Sequence, residues 1–225
     1  MRAFPLGAAP VLALEASTAR ASAAVLAGGT VLAEVEVHMR PGADEALMPA
    51  VDAALRAAGV RPAALPAVVC GAGPGGFTSL RIAAAIAKGF AHATGCALAA
   101  VPSLALAAAG RAPGPWLVTL DALRGERYAA RVTIDAGGVV TDYAYLGVLA
   151  GEALARAGSG AAGHVDGNTE PPRAAGVLAA IALVATVDPD AWEPGYGRQA
   201  EAQARWELAH GRPLATALTP AAADA

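Results

Sequence analysis

The chain has 225 residues, 56% hydrophobic and 16% charged, with a net charge of −3. This excludes a disordered chain and allows one large domain or two small ones. It gives no electrostatic footprint for direct nucleic-acid binding, and no run supplies the ~20 strongly apolar residues of a membrane span, so a cytoplasmic protein away from membranes is expected.

Pro5 and Pro10 interrupt the N-terminal apolar run, and Val11–Ala16 reads as a buried first strand rather than a signal sequence. Ala21–Ala27 and Thr30–Val37 read as a hairpin, because Gly28-Gly29 between apolar runs suits a primed turn. A helical pattern then runs from Asp44 to Ala58, with Leu47, Met48, Val51 and Leu55 on one stripe. Asp44 and Glu45 suit the positive end of its dipole, Pro49 sits in its first turn or kinks it, and Gly59 closes it. Pro66–Gly71 follows as a strand, Phe77–His92 as a helix, Cys96–Val101 as a strand, and Pro102-Ser103 starts a short helix.

Strands and helices in this order belong to the ribonuclease-H-like fold, the half-unit of actin-like (ASKHA) proteins. After a break at Gly110–Pro115 the pattern restarts. Strands are expected at Trp116–Leu120, Glu126–Ile134 and Val139–Tyr145, with a Gly137-Gly138 turn between the last two. A helix at Leu149–Ala157, a weak glycine-rich stretch to Asn168 and a last apolar helix at Ala174–Val187 complete the reading. The second half is a shorter copy of the first. The expected architecture is therefore α/β and two-lobed, with lobes at 1–110 and 111–225 and the second one reduced.

The loop Gly71-Ala-Gly73-Pro-Gly75-Gly76 between strand and helix brings backbone very close to another surface or to a phosphate. It matches G-x-G-x-x-G, but no acidic residue follows before Asp121 to hold a ribose, so the dinucleotide reading fails. The P-loop reading fails as well, because G-K-[ST] is absent. A phosphate hairpin of the actin-like ATPases has its counterpart in Glu15, Ser17 and Thr18, and in Asp121 of the second copy. Glutamate is one methylene longer than the aspartate such a loop uses, so metal geometry suffers; weak nucleotide binding stays open and efficient catalysis is not expected. Cys70 and Cys96 read as reduced thiols, and His38, His92, His164 and His210 lack metal-ligand spacing. Ser17, Ser79 and Ser103 have turn or capping explanations. Between Asp52 and Asp121 the charged residues are all basic: Arg56, Arg61, Arg81, Lys88 and Arg111.

These residues together resemble the bacterial TsaB (YeaZ) family. Leu12-Ala-Leu-Glu-Ala-Ser-Thr18 is similar to its opening strand, with Glu15 in place of Asp, and His38 followed by Leu47-Met48-Pro49 to its His…Leu-Leu-Pro helix start. Gly73-Pro-Gly-Gly-Phe-Thr-Ser-Leu-Arg81 resembles G-P-G-S-F-T-G-[LV]-R, with Gly76 and Ser79 exchanging the usual Ser and Gly. Ala87-Lys88-Gly89, Asp121-Ala…Gly125-Glu126…Tyr128 and Pro194…Tyr196…Arg198…Glu201-Ala202, with Trp206, continue the match. Residues 158–172 are shorter than the family's.

The resemblance implies a non-catalytic subunit supporting a TsaD-type threonylcarbamoyltransferase, which forms N6-threonylcarbamoyladenosine at position 37 of ANN-decoding tRNAs. A TsaE-type ATPase would join the two, tRNA would be reached only through the complex, and the protein alone would form a homodimer. No cofactor is required on this reading, though ATP or ADP can bind weakly, mainly at interfaces with partners. The docking residues are expected on two neighbouring helices: Leu47, Met48, Val51, Leu55, Phe77, Leu80, Arg81, Ala84 and Lys88. No residue is assigned a catalytic or metal-binding role. A stand-alone actin-like phosphotransferase and a glycoprotease-like metalloprotein are the alternatives.

Overall fold

The computed structural model describes residues 7–39, 45–197 and 209–211. Strand β1 (Val11–Glu15) pairs antiparallel with β2 (Arg20–Ala27), and β2 pairs antiparallel with β3 (Thr30–His38). Gly28 and Gly29 make the tight turn between β2 and β3 at φ 55° and 77°, a left-handed geometry that side chains resist. Helix α1 (Leu47–Ala57) leads to β4 (Ala67–Gly71), which lies parallel to β1. Helix α2 (Phe77–Thr94) then leads to β5 (Ala97–Val101), parallel to β4, and the short α3 (Ser103–Ala107) follows.

The second half repeats this plan. Strand β6 (Gly114–Asp121) pairs antiparallel with β7 (Arg127–Ile134), and β7 with β8 (Val140–Leu149). The small helix α4 (Gly151–Ala157) follows β8 as α1 follows β3, and β9 (Gly163–Asp166) lies parallel to β6 as β4 lies parallel to β1. The two sheets run β10-β5-β4-β1-β2-β3 and β8-β7-β6-β9, where β10 is Ala185–Val187.

Three expectations change. Helix α1 begins at Leu47; Asp44 lies outside the described residues, and the Glu45 carboxylate accepts the free N–H groups of Leu47 and Met48. Pro49 falls in the first turn, where its missing N–H costs nothing. Strand β9 lies in the stretch read as weak. Ala174–Val187 is not a helix but two 3-10 turns (174–178 and 181–183) followed by β10. The Ala174 and Ala175 N–H groups donate to Ser22 Oγ (2.8 Å) and Glu34 Oε1 (3.0 Å) on the first sheet, and β10 pairs with β5. Residues 174–187 thus return to the first sheet.

Two apolar layers hold these sheets. Leu12, Leu14 and Val25 pack with Leu47, Val51, Leu55 and Phe90 on the outer side of the first sheet. On its inner side Val11, Leu26, Leu104 and Leu106 share one core with Val118, Leu120 and Val132 of the second sheet. Strands β1 and β4 are buried throughout, as parallel strands covered on both faces are. Cys70 is buried and free, and burial pushes its thiol well up; Cys96 is free as well. Among the described residues no helix is long and apolar enough to cross a membrane.

Candidate functional site

The glycine loop joins the buried end of β4 to the start of α2, and its geometry shows what each glycine admits. A Cβ on Gly71 would lie 2.0 Å from Glu15 Oε2, one on Gly73 2.3 Å from the Gly195 carbonyl, and one on Gly75 2.2 Å from the Ser17 carbonyl. Gly76 caps α2, and its N–H donates to the Ser17 carbonyl at 2.8 Å. The Gly73 N–H donates to Ser103 Oγ at 3.0 Å, and the Gly73–Pro74 peptide is cis. The loop thus closes on the chain's own β1–β2 turn and C-terminal segment.

Glu15 lies beneath this loop with no exposed surface. Its Oε1 accepts the Ser17 N–H at 2.6 Å, while Oε2 and the Ser17 hydroxyl have no hydrogen-bond partner among the described residues. Burial pushes the carboxyl above its ordinary 4.5, against the pull of the Ser17 N–H that it accepts. The folded state therefore holds this proton more tightly than the unfolded chain does. Its contribution to stability is complete below pH 4.5 and is lost as pH rises through the folded value. Glu15→Gln should flatten that part of the stability–pH curve, as denaturant unfolding over a pH series would measure; an unchanged slope would show that Glu15 does not carry it.

The other residues of the expected nucleotide hairpins are not brought together with Glu15 on an open surface. The Thr18 hydroxyl donates to the Arg20 carbonyl at 2.7 Å and accepts the Arg20 N–H, closing a local turn. Asp121 Oδ1 accepts the Leu123 N–H at 2.8 Å, and the Asp121 N–H donates to Asn168 Oδ1. Leu123, Arg124 and Gly125 then turn the β6–β7 hairpin with positive φ. Two surface hollows of about 600 and 310 Å³ are lined by none of Glu15, Ser17, Thr18 and Asp121. Among the described residues no group of three His, Cys, Asp or Glu could hold a metal ion.

The helix faces divide sharply. Leu47, Val51, Leu55, Leu80 and Ala84 are at most 4% exposed, and the stripe of Leu47, Val51 and Leu55 packs on the protein's own sheet instead of facing outward. Met48 (43%) and Phe77 (37%) stand on the surface, Arg81 is exposed, and Lys88 is partly so. The Phe77 ring lies 4.6 Å from that of Tyr196, and the Arg81 guanidinium sits 5.4 Å above Phe77. Lys88 Nζ is 3.0 Å from Glu193 Oε1, and the Tyr196 hydroxyl donates to Glu193 Oε2 at 3.2 Å. Sequence reasoning missed Glu193 and the placing of Tyr196 on α2; Pro194…Tyr196 was the visible signal. Arg198, Glu201, Ala202 and Trp206 of the same tail lie outside the described residues. A polar cluster on the second sheet also went unseen, where Arg127 bonds Asp166 and Thr119 and the Thr119 hydroxyl lies 2.8 Å from His164 Nε2.

Residues 41–156, just over half the chain, match the family described as TsaD, tRNA N6-adenosine threonylcarbamoyltransferase. An uncharacterized protein of Mycobacterium tuberculosis is 43% identical over 124 residues, 54% of this chain and 58% of that one. The tRNA threonylcarbamoyladenosine biosynthesis protein TsaB of Bacillus subtilis is 32% identical over 120 residues, covering 52% of each chain. The chain thus spans just over half the length of the curated relatives it matches. Among solved structures, YeaZ from Pseudomonas aeruginosa superposes with a TM-score of 0.68 at 25% identity, covering 84% of this chain and 99% of that one.

Proposed function

Since the chain belongs to the tRNA N6-adenosine threonylcarbamoyltransferase family and stands with its TsaB (YeaZ) members, we propose that it is a non-catalytic subunit that docks on and supports a TsaD-type threonylcarbamoyltransferase. The observation that carries this reading is the glycine loop. A glycine loop at a helix N-terminus can receive phosphate, whereas here Glu15 and the Ser17 backbone fill the space under it. A buried carboxyl in that position gives a phosphate nothing to bind.

The chain's role is then to present a surface. Met48, Phe77, Arg81 and Lys88, on neighbouring helices, supply it with apolar anchors and positive charge. A TsaE-type ATPase joins the pair, and tRNA is reached only through the assembly. No cofactor is required; ATP or ADP binds weakly, mainly where subunits meet. In the absence of its partner the subunit self-associates as a homodimer, in the cytoplasm. Mixing the protein with TsaD-type subunits and measuring the mass of the product by light scattering should give a one-to-one complex. A panel including the cognate subunit in which none associates would overturn the proposal.

A further inference from the structure

Residues 188–197, which follow β10, run along α2 from its C-terminal toward its N-terminal end. Asp190 Oδ1 lies 3.4 Å from His92 Nε2, Glu193 Oε1 lies 3.0 Å from Lys88 Nζ, and the Tyr196 ring packs at a tilt of 49° against Phe77, which also carries Arg81 over its face. The Gly195 N–H donates to the Ala72 carbonyl at 2.8 Å, which fixes the far end of this strap to the glycine loop. The charged or titratable side chains of α2 are Arg81, Lys88 and His92, with no acid among them. The strap brings Asp188, Asp190 and Glu193, and Lys88 holds the Glu193 carboxyl below its usual range. An acidic, aromatic peptide therefore lies on a basic helix that carries an exposed aromatic ring.

We propose that this strap is a built-in stand-in for the docking partner. The face of α2 beneath it takes an acidic segment bearing an aromatic ring, and a partner gains that face by lifting residues 188–197. The inference rests on the docking role proposed above. Charge complementarity argues for the occupant: with the strap lifted, Arg81, Lys88 and His92 face outward with no carboxylate on their own helix. Trp192, packed against the outer core layer, and the Gly195 bond to Ala72 anchor the strap, so a partner must outcompete both, while the charged part of the hold is weak. Glu193 and Asp190 side chains are 54% and 82% exposed, and ion pairs so placed are weak.

The test uses the full chain carrying Asp190→Asn and Glu193→Gln, which loosen the strap and leave α2 untouched, titrated with a TsaD-type subunit beside the unaltered protein. The loosened protein should bind about fivefold tighter, as the loss of two weak competing pairs predicts. Lys88→Ala added to it should weaken binding by a similar factor, because the partner's acid loses its counter-ion. Unchanged or weaker binding by the loosened protein, or indifference to Lys88→Ala, would overturn the strap and leave docking intact. Binding by the loosened protein alone would support both readings. Binding by none of the forms would overturn the docking role and this inference with it.

Discussion

Gly71→Ala is expected to cost about 3 kcal/mol of folding stability, at the upper end of what overpacking a filled interior does. Its Cβ would stand 2.0 Å from Glu15 Oε2 and 2.9 Å from Ser103 Oγ. Both neighbours are fully buried, and Gly71 is paired with Val101 in the parallel ladder between β4 and β5. The cause is specific, and so is its remedy. In a Glu15→Ala background the same substitution should cost less than half as much, a coupling of about 1–3 kcal/mol in a double-mutant cycle read by denaturant unfolding. Gly75→Ala makes the contrast, since its Cβ would meet the Ser17 backbone carbonyl at 2.2 Å, which no side-chain truncation removes. Equal costs for Gly71→Ala with and without the Glu15 carboxyl would show that the loop is not closed on that group.

Phe77→Ala should weaken binding to a TsaD-type subunit by about 10- to 100-fold, the loss of a central aromatic anchor. Arg81→Glu should do as much, through a reversed charge on a helix that carries no acid of its own. Leu47→Ala and Leu80→Ala belong to a different class. Their side chains have no exposed surface, so each should lower stability by about 2–5 kcal/mol while the affinity of the folded molecules changes little. Calorimetric titration beside thermal unfolding separates the two effects. A loss of affinity from Leu80→Ala with stability intact would mean that α2 turns its other face outward.

The division between those classes marks the limit of the sequence. Period 3.6 shows that Leu47, Val51 and Leu55 share a face, and nothing local says whether that face meets the chain's own sheet or another protein. Strands β1 to β8 were legible because apolar runs are cut by glycine and proline turns with a fixed conformational requirement. Strand β9 was not: it is four residues long, buries only Val165 fully, and exists by pairing with β6 more than forty residues away. The segment 174–187 has a helical apolar pattern, yet its N–H groups are claimed by Ser22 and Glu34 from the far end of the chain. For the glycine loop the need for close approach was readable from the residues. That the approaching group is Glu15 required knowing where β1 ends relative to β4.

The return of β10 to the first sheet has a mechanical consequence. Enzymes that close two lobes over a substrate need a hinge crossed by few strands of chain and few packed side chains. Here the polypeptide passes between the halves near residue 111 and again before residue 174, is stitched to β5 at its return, and buries one continuous apolar layer between the sheets. A scissoring motion would have to tear that layer open. The two sheets are thereby locked together as one body.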